Sequence, residues 1–149
     1  MTIQVTSTKA MNDFGSRLGA LLKKGLVIEL VGDVGAGKTT LAKGIAVGLG
    51  IEDNVQSPSF TISQVYEGKE LRLAHYDFYR LSDAGIMQDE LAEVVTDLNT
   101  ITLIEWAEIV QGVLPADRLT IHITPTSETA RSLSISSGGP ISKVIEEQL

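Results

Sequence analysis

The 149-residue chain contains no cysteine, which excludes disulfides, thiolate metal sites and a thiol nucleophile. No apolar run approaches the roughly 18 residues that a bilayer-spanning helix needs. The start, "MTIQVTSTKAM", lacks a basic segment followed by an apolar block, so no secretory signal is visible. There are only two histidines, with no His/Asp/Glu cluster around them, which argues against a dedicated metal centre. Basic residues are also scarce: 12 Lys and Arg stand against 19 Asp and Glu, a formal net charge of −7. Nucleic-acid backbones are held largely through Lys and Arg, so this chain is poorly equipped to bind RNA or DNA alone. Any nucleic acid would be held by a partner protein, and the charge otherwise serves solubility. The expected setting is cytoplasmic.

What remains is an ordinary globular composition, with 43% apolar and 21% charged residues, in a length that suits one domain around one core. No repeat, low-complexity tract or long linker divides it. Residues 3–6 suit a short edge strand. Thr8 reads as a helix N-cap, and Met11, Phe14, Leu18 and Leu21 share one helical face before Gly25 ends the helix. Leu26–Val31 reads as a buried strand, and Lys38–Leu49 as a helix that stops at Gly50. Phe60–Tyr66 and Leu71–Tyr76, joined by "EGKE", form a predicted hairpin. Ser82 caps a broken helical stretch through Leu98, and Ile101–Ile104 is a short apolar strand. Arg118–Ile123 and Ser132–Ser136 make a second hairpin, followed by a helix over Ile141–Leu149. Strand–helix alternation with hairpins implies an α/β fold with a mixed sheet flanked by helices.

The chemistry centres on "LVGDVGAGKTTLAKGIA", Leu30–Ala46. Its spacing is G-x-x-x-x-G-K-[ST] in a strand–loop–helix context, the phosphate-loop (P-loop) motif. Gly32, Gly35 and Gly37 free the backbone to aim several N–H groups at one anion, and the following helix adds its positive end. Lys38 reaches the β- and γ-phosphates of a nucleoside triphosphate, the Thr39 hydroxyl suits Mg²⁺, and Thr40 is within reach of the α-phosphate. The loop residues Asp33, Val34, Gly35, Ala36 and Gly37 complete the candidate nucleotide contacts.

A second acid on the magnesium is expected of such an enzyme. Glu105, at the end of the apolar strand "ITLI", and Asp77, in "HYDFYRL", are the candidates, each weighed against a plain solvated strand-end carboxylate. "SPSFTIS" lies where nucleotide switches place a γ-phosphate sensor, although on residue physics alone it reads as a loop. Trp106, the single tryptophan, is either core or a shield beside the phosphate site. His75 alternates with Leu71 and Leu73 and reads as packing.

"GDVGAGKTTLAKG", "SPSFTISQVY", "HYDFYRL" and "IEWAE", in this order and at these separations, resemble the bacterial TsaE family (also called YjeE). The resemblance runs from about residue 3 to residue 136. It implies a single P-loop ATPase domain over 1–149, with the tail from about 138 unassigned, and ATP and Mg²⁺ as cofactors. It implies work with TsaB and TsaD in forming threonylcarbamoyladenosine at position 37 of tRNAs that read codons beginning with A. Hydrolysis would then reset the TsaB–TsaD complex, and tRNA would be met only through these partners. Residue by residue, Gly35–Thr39 match the nucleotide loop, Thr40 a functional second threonine, and Asp77 and Glu105 the metal-site acids. Trp106 matches a tryptophan near the nucleotide, and Thr8 and Arg131 match positions near its adenosine end. The second serine of "SPSF" replaces the family's usual threonine and keeps the hydroxyl.

Two other readings compete. A small-molecule P-loop kinase usually carries arginines in a closing lid, and none of Arg17, Arg72, Arg80, Arg118 and Arg131 sits in such an insertion. A nucleotide-dependent binding module with negligible hydrolysis is the third.

Overall fold

The computed structural model describes residues 1–149. In chain order its elements are β1 (Thr2–Val5), α1 (Thr8–Leu21), β2 (Leu26–Val31), α2 (Lys38–Gly48), β3 (Ser63–Glu67) and β4 (Arg72–Asp77). After these come α3 (Met87–Val94), β5 (Thr100–Glu105), a 3₁₀ helix (Ala107–Val113), β6 (Arg118–Pro125), β7 (Arg131–Ser137) and α4 (Pro140–Gln148). The strands form one seven-stranded sheet in the order β1-β7-β6-β2-β5-β4-β3. The central strands β6, β2, β5 and β4 run parallel, and the outer pairings are antiparallel. Strands such as "LVIELV" and "TITLIE" are buried along almost their whole length because helices cover both faces of a parallel sheet. The sheet is therefore mixed and flanked by helices, as the strand–helix alternation predicts. No helix is long and apolar enough to cross a membrane.

One face of the sheet carries the larger core, where Leu30, Leu73, Leu103 and Ile121 meet α1, α2 and α4. A smaller cluster on the other face joins Tyr76, Phe78, Ile104 and Val110 to Leu91 of α3. Helices α1 and α2 touch almost backbone to backbone. A Cβ at Gly19 would run into the Ile45 carbonyl, and one at Gly48 into the Ser16 carbonyl. Small residues at this crossing seat α2, and hence the loop at its start, closely against α1.

Local chemistry moves several expected boundaries. The α1 cap is Ser7, not Thr8: Ser7 is extended and its hydroxyl accepts from the Ala10 N–H at 3.0 Å, so Thr8 is the first helical residue. The helix stops at Leu21, ahead of Gly25. Gly25 instead lets the chain pass close to the Asp97 carbonyl, and its N–H donates to Leu98 O. Strand β3 starts at Ser63 rather than Phe60, because the Ile62 N–H turns back to Pro58 O and Ile62 takes a positive φ of 70°. Ser82 caps nothing: α3 is confined to Met87–Val94 behind a turn in which Asp83 accepts from the Gly85 N–H. Both predicted hairpins form, and the segment after residue 138 becomes α4. There Asp117 accepts the N–H groups of Ile141 and Ser142.

Candidate nucleotide-binding site

Strand β2 delivers the loop, and its parallel neighbours deliver the acids. Leu30 pairs in register with Glu105, which pairs in turn with Asp77. Both carboxylates thus end their strands beside the loop, at the carboxyl edge where open α/β sheets hold ligands. Gly35 and Gly37 have φ of 82° and 113°, a region costly for any residue with a Cβ. Gly37 is the N-cap of α2 and has no side-chain hydrogen bond, so the first N–H groups of that helix face the loop's interior.

A cavity of about 410 Å³ is lined by Val34, Gly35, Gly37, Lys38, Thr39 and Thr40, and on its far side by Ser57, Ser59, Asp77, Tyr79, Arg80, Glu105 and Trp106. Lys38 is 7% exposed. Its Nζ donates to the carbonyls of Gly32 and Asp33 and lies 4.8 Å from the centre of the Trp106 ring. Burial pulls the Lys38 ammonium below the usual lysine range, against the opposing pull of the Glu105, Asp77, Asp33 and Glu108 charges. A phosphate placed there would favour the charged form further.

The acids are held differently. The Asp77 Oδ2 accepts from the hydroxyls of Ser57 and Ser59 at 3.2 and 3.4 Å, and Oδ1 accepts the Tyr79 N–H at 2.9 Å. Glu105, 2% exposed, meets His75 Nε2 at 2.6 Å through Oε2. A carboxylate only accepts, so Nε2 carries the proton. Its Nδ1 is buried with no partner. The expectation that His75 is packing is therefore corrected: it is wholly buried, yet it serves as the polar partner of Glu105. The segment "SPSFTIS" is a loop leading into β3, as its residues predict, and two of its serines reach Asp77.

Thr39, Asp77 and Glu105 bring hydroxyl and carboxylate oxygens to one cavity, a hard-donor set that fits Mg²⁺. No group of three or more His, Cys, Asp or Glu side chains converges to hold a metal by itself. That suits an ion which keeps waters and takes ligand phosphate oxygens.

A neighbouring cavity of about 490 Å³ shares Gly35, Gly37 and Thr40 and adds Thr8, Met11, Ala36, Glu128 and Arg131. Arg131 also pins the loop, its Nε donating to the Ala36 carbonyl at 2.8 Å. Asp33 is the exception among the loop residues. Its carbonyl receives Lys38, but it lines a third cavity behind the loop, with Glu29, Glu108 and His122. Trp106 borders both that cavity and the one with the acids. It is half-buried with φ of 57°, and its ring lies 4.8 Å from that of Tyr79. A strained backbone at such a position is a common feature of ligand sites. The residues that motif reading missed are Ser57, Ser59, His75, Tyr79 and Arg80. Only the hydroxyls of "SPSF" and the quoted "HYDFYRL" hinted at them.

The family model for "Threonylcarbamoyl adenosine biosynthesis protein TsaE" matches residues 5–133. The chain belongs to the TsaE family. It is 36% identical over 148 residues to the tRNA threonylcarbamoyladenosine biosynthesis protein TsaE of Bacillus subtilis, covering 99% of this chain and 90% of that one. It is 37% identical over 122 residues to the TsaE of Treponema pallidum, covering 82% and 90% respectively. Its fold matches the crystal structure of Bacillus subtilis YdiB with a TM-score of 0.83 at 32% identity, over 99% of this chain and 92% of that one. TsaE proteins take part in threonylcarbamoyladenosine biosynthesis, a tRNA modification. The TsaE match ends within β7, so α4 lies beyond it.

Proposed function

We propose that residues 1–149 act as one P-loop ATPase domain that binds and hydrolyses ATP with Mg²⁺ in support of a TsaB–TsaD complex, which forms threonylcarbamoyladenosine at position 37 of tRNAs. One observation carries this reading: Lys38 and Thr39 of a complete phosphate loop share a cavity with two strand-end carboxylates, Asp77 and Glu105. The loop N–H groups and Lys38 would bind the β- and γ-phosphates, and Thr40 the α-phosphate. Thr39, Asp77 and Glu105 would hold Mg²⁺, which supplies charge neutralisation on the phosphates. Thr8 and Arg131, on the adjoining cavity, suit the adenosine end. Trp106 would close the phosphate site from the side. The acidic surface agrees with tRNA being held by the partners, and turnover by the isolated chain should be slow.

The sole tryptophan provides the test. Trp106 emission should change on adding ATP with Mg²⁺, and single-turnover hydrolysis should change in rate when TsaB–TsaD is added. Emission indifferent to nucleotide would remove Trp106 from the site. Binding without hydrolysis in either condition would favour a nucleotide-dependent binding module, and turnover that requires a small acceptor would favour a kinase.

A further inference from the structure

Five arginines occur in the chain, and three of them are engaged in structural contacts. Arg118 pairs with Glu29, Arg72 with Glu67 and Asp97, and Arg131 donates to backbone carbonyls around the loop. Arg17 rests on Phe14 of its own helix. Arg80 differs from all of these. It is exposed, makes no ion pair or hydrogen bond, and lines the cavity of Lys38, Thr39, Asp77 and Glu105. Its guanidinium carbon sits 4.4 Å from the centre of the Phe60 ring, and that ring is 85% exposed.

We infer that Arg80 is a second phosphate cation, resting on Phe60 and moving onto the terminal phosphate of a bound triphosphate. The inference rests on the nucleotide reading above. Charge balance supports it: the cavity wall holds two carboxylates and, apart from Arg80, a single cation, Lys38. One lysine and one Mg²⁺, which together already face these two carboxylates, do not balance the further negative charge of a triphosphate. A guanidinium fork matches phosphate oxygens in bidentate fashion, whereas an exposed contact with a ring is weak and easily given up.

The two partners are also tied to the same carboxylate. Asp77 accepts the N–H of Tyr79, next to Arg80, and the hydroxyl of Ser59, next to Phe60. Any ligand that draws on the Asp77 oxygens therefore acts on both ends of the Phe60–Arg80 contact. In hydrolysis, a water oxygen bonds to the γ-phosphorus as the bond to the β,γ-bridging oxygen breaks, giving ADP, inorganic phosphate and a released proton. Arg80 binds γ-oxygens throughout and carries none of these protons.

The test is calorimetric titration of the full chain, in Mg²⁺, with ADP and with a non-hydrolysable ATP analogue. Arg80→Ala should lower the ratio of triphosphate to diphosphate affinity at least about tenfold while leaving ADP affinity nearly unchanged. Arg80→Lys should retain part of that preference. Phe60→Ala should strengthen triphosphate binding about two- to fivefold by removing the resting contact, and should do nothing when Arg80 is already alanine. An unchanged ratio in Arg80→Ala, or an equal loss for both nucleotides, overturns the inference. Weakened triphosphate binding in Phe60→Ala overturns the resting role of the ring. A wild-type chain that binds neither nucleotide would instead bring down the nucleotide reading itself.

Discussion

Glu29 and Glu105 are buried glutamates on adjacent parallel strands, with their side chains on opposite faces of the sheet. Glu29 follows the alternation of Val27, which packs with the smaller cluster, and Glu105 that of Leu103, which packs with the larger one. Glu29 is fully engaged: Arg118 Nε donates to Oε1 at 3.0 Å and Gln111 Nε2 to Oε2 at 3.1 Å. Arg118 continues to the Pro115 carbonyl and Gln111 Oε1, closing the network. Glu105 has one side-chain partner, His75, and its other oxygen has none. One carboxylate is spent on holding β2, β6 and the 3₁₀ helix together. The other is buried with capacity to spare beside Lys38. Burial alone therefore does not mark a candidate functional acid; an unpaired oxygen beside Lys38 on the cavity of the phosphate loop does.

Breaking the satisfied side should have the largest effect. Glu29→Ala leaves Arg118 without its partner in a half-buried place and should cost about 3 kcal/mol of stability. Nucleotide affinity of the folded fraction should be unchanged. Thermal unfolding with calorimetric titration checks both, and a parallel loss of affinity would dissolve the distinction between the two glutamates.

The cavity side should respond in the opposite manner. Lys38→Ala removes a desolvated ammonium, so stability should hold or rise, while nucleotide binding should weaken by about 2–3 kcal/mol. The same titration reads this effect. Glu105→Gln sharpens the contrast at nearly constant shape. Its melting temperature should stay near wild type, and the Mg²⁺ dependence of nucleotide binding should drop by about 1–2 kcal/mol of coupling. Wild-type magnesium dependence would move the metal to Asp77 alone.

The smallest effect calibrates a carboxylate whose role is local and structural. Burial pushes Asp117 upward, but hydrogen bonds from the Ser142 hydroxyl and from the Ser142 and Ile141 N–H groups outweigh it, aided by the Lys24 charge, and hold it below the usual carboxylate value. A lowered folded value means that its contribution is present above the unfolded pKa of about 3.9 and lost as pH falls through the folded one. Asp117→Asn should cost about 1 kcal/mol at neutral pH, as for a lost helix cap. The melting curves of variant and wild type should converge in acid.

Legibility followed sequence distance. The phosphate loop is contiguous: its glycines, Lys38 and Thr39 act through the backbone that immediately joins them, so spacing alone announces it. Leu26–Val31 and the two hairpins were readable because apolar runs and short connections act locally. Glu105 was findable as the acid that ends an apolar strand. The site's supports were not readable in this way. His75 looks like any strand residue alternating with leucines until β4 pairs with β5 and sets it against Glu105, 30 residues away. Ser57 and Ser59 gain a purpose only when the hairpin returns Asp77 to them. Arg80 lies in no lid-like insertion, and its place on the cavity wall follows from the turn that Asp77 anchors.

The sequence by itself therefore determined that a phosphate-loop motif sits between a buried strand and a helix in an α/β chain, because motif, periodicity and turn chemistry are local. The tertiary structure decided the strand order β1-β7-β6-β2-β5-β4-β3 and, through it, which acids stand beside the loop. It also decided that both oxygens of Glu29 are hydrogen-bonded while Glu105 is left with a free one. Both outcomes depend on register between strands distant in sequence, where a shift of one residue would turn each side chain to the opposite face.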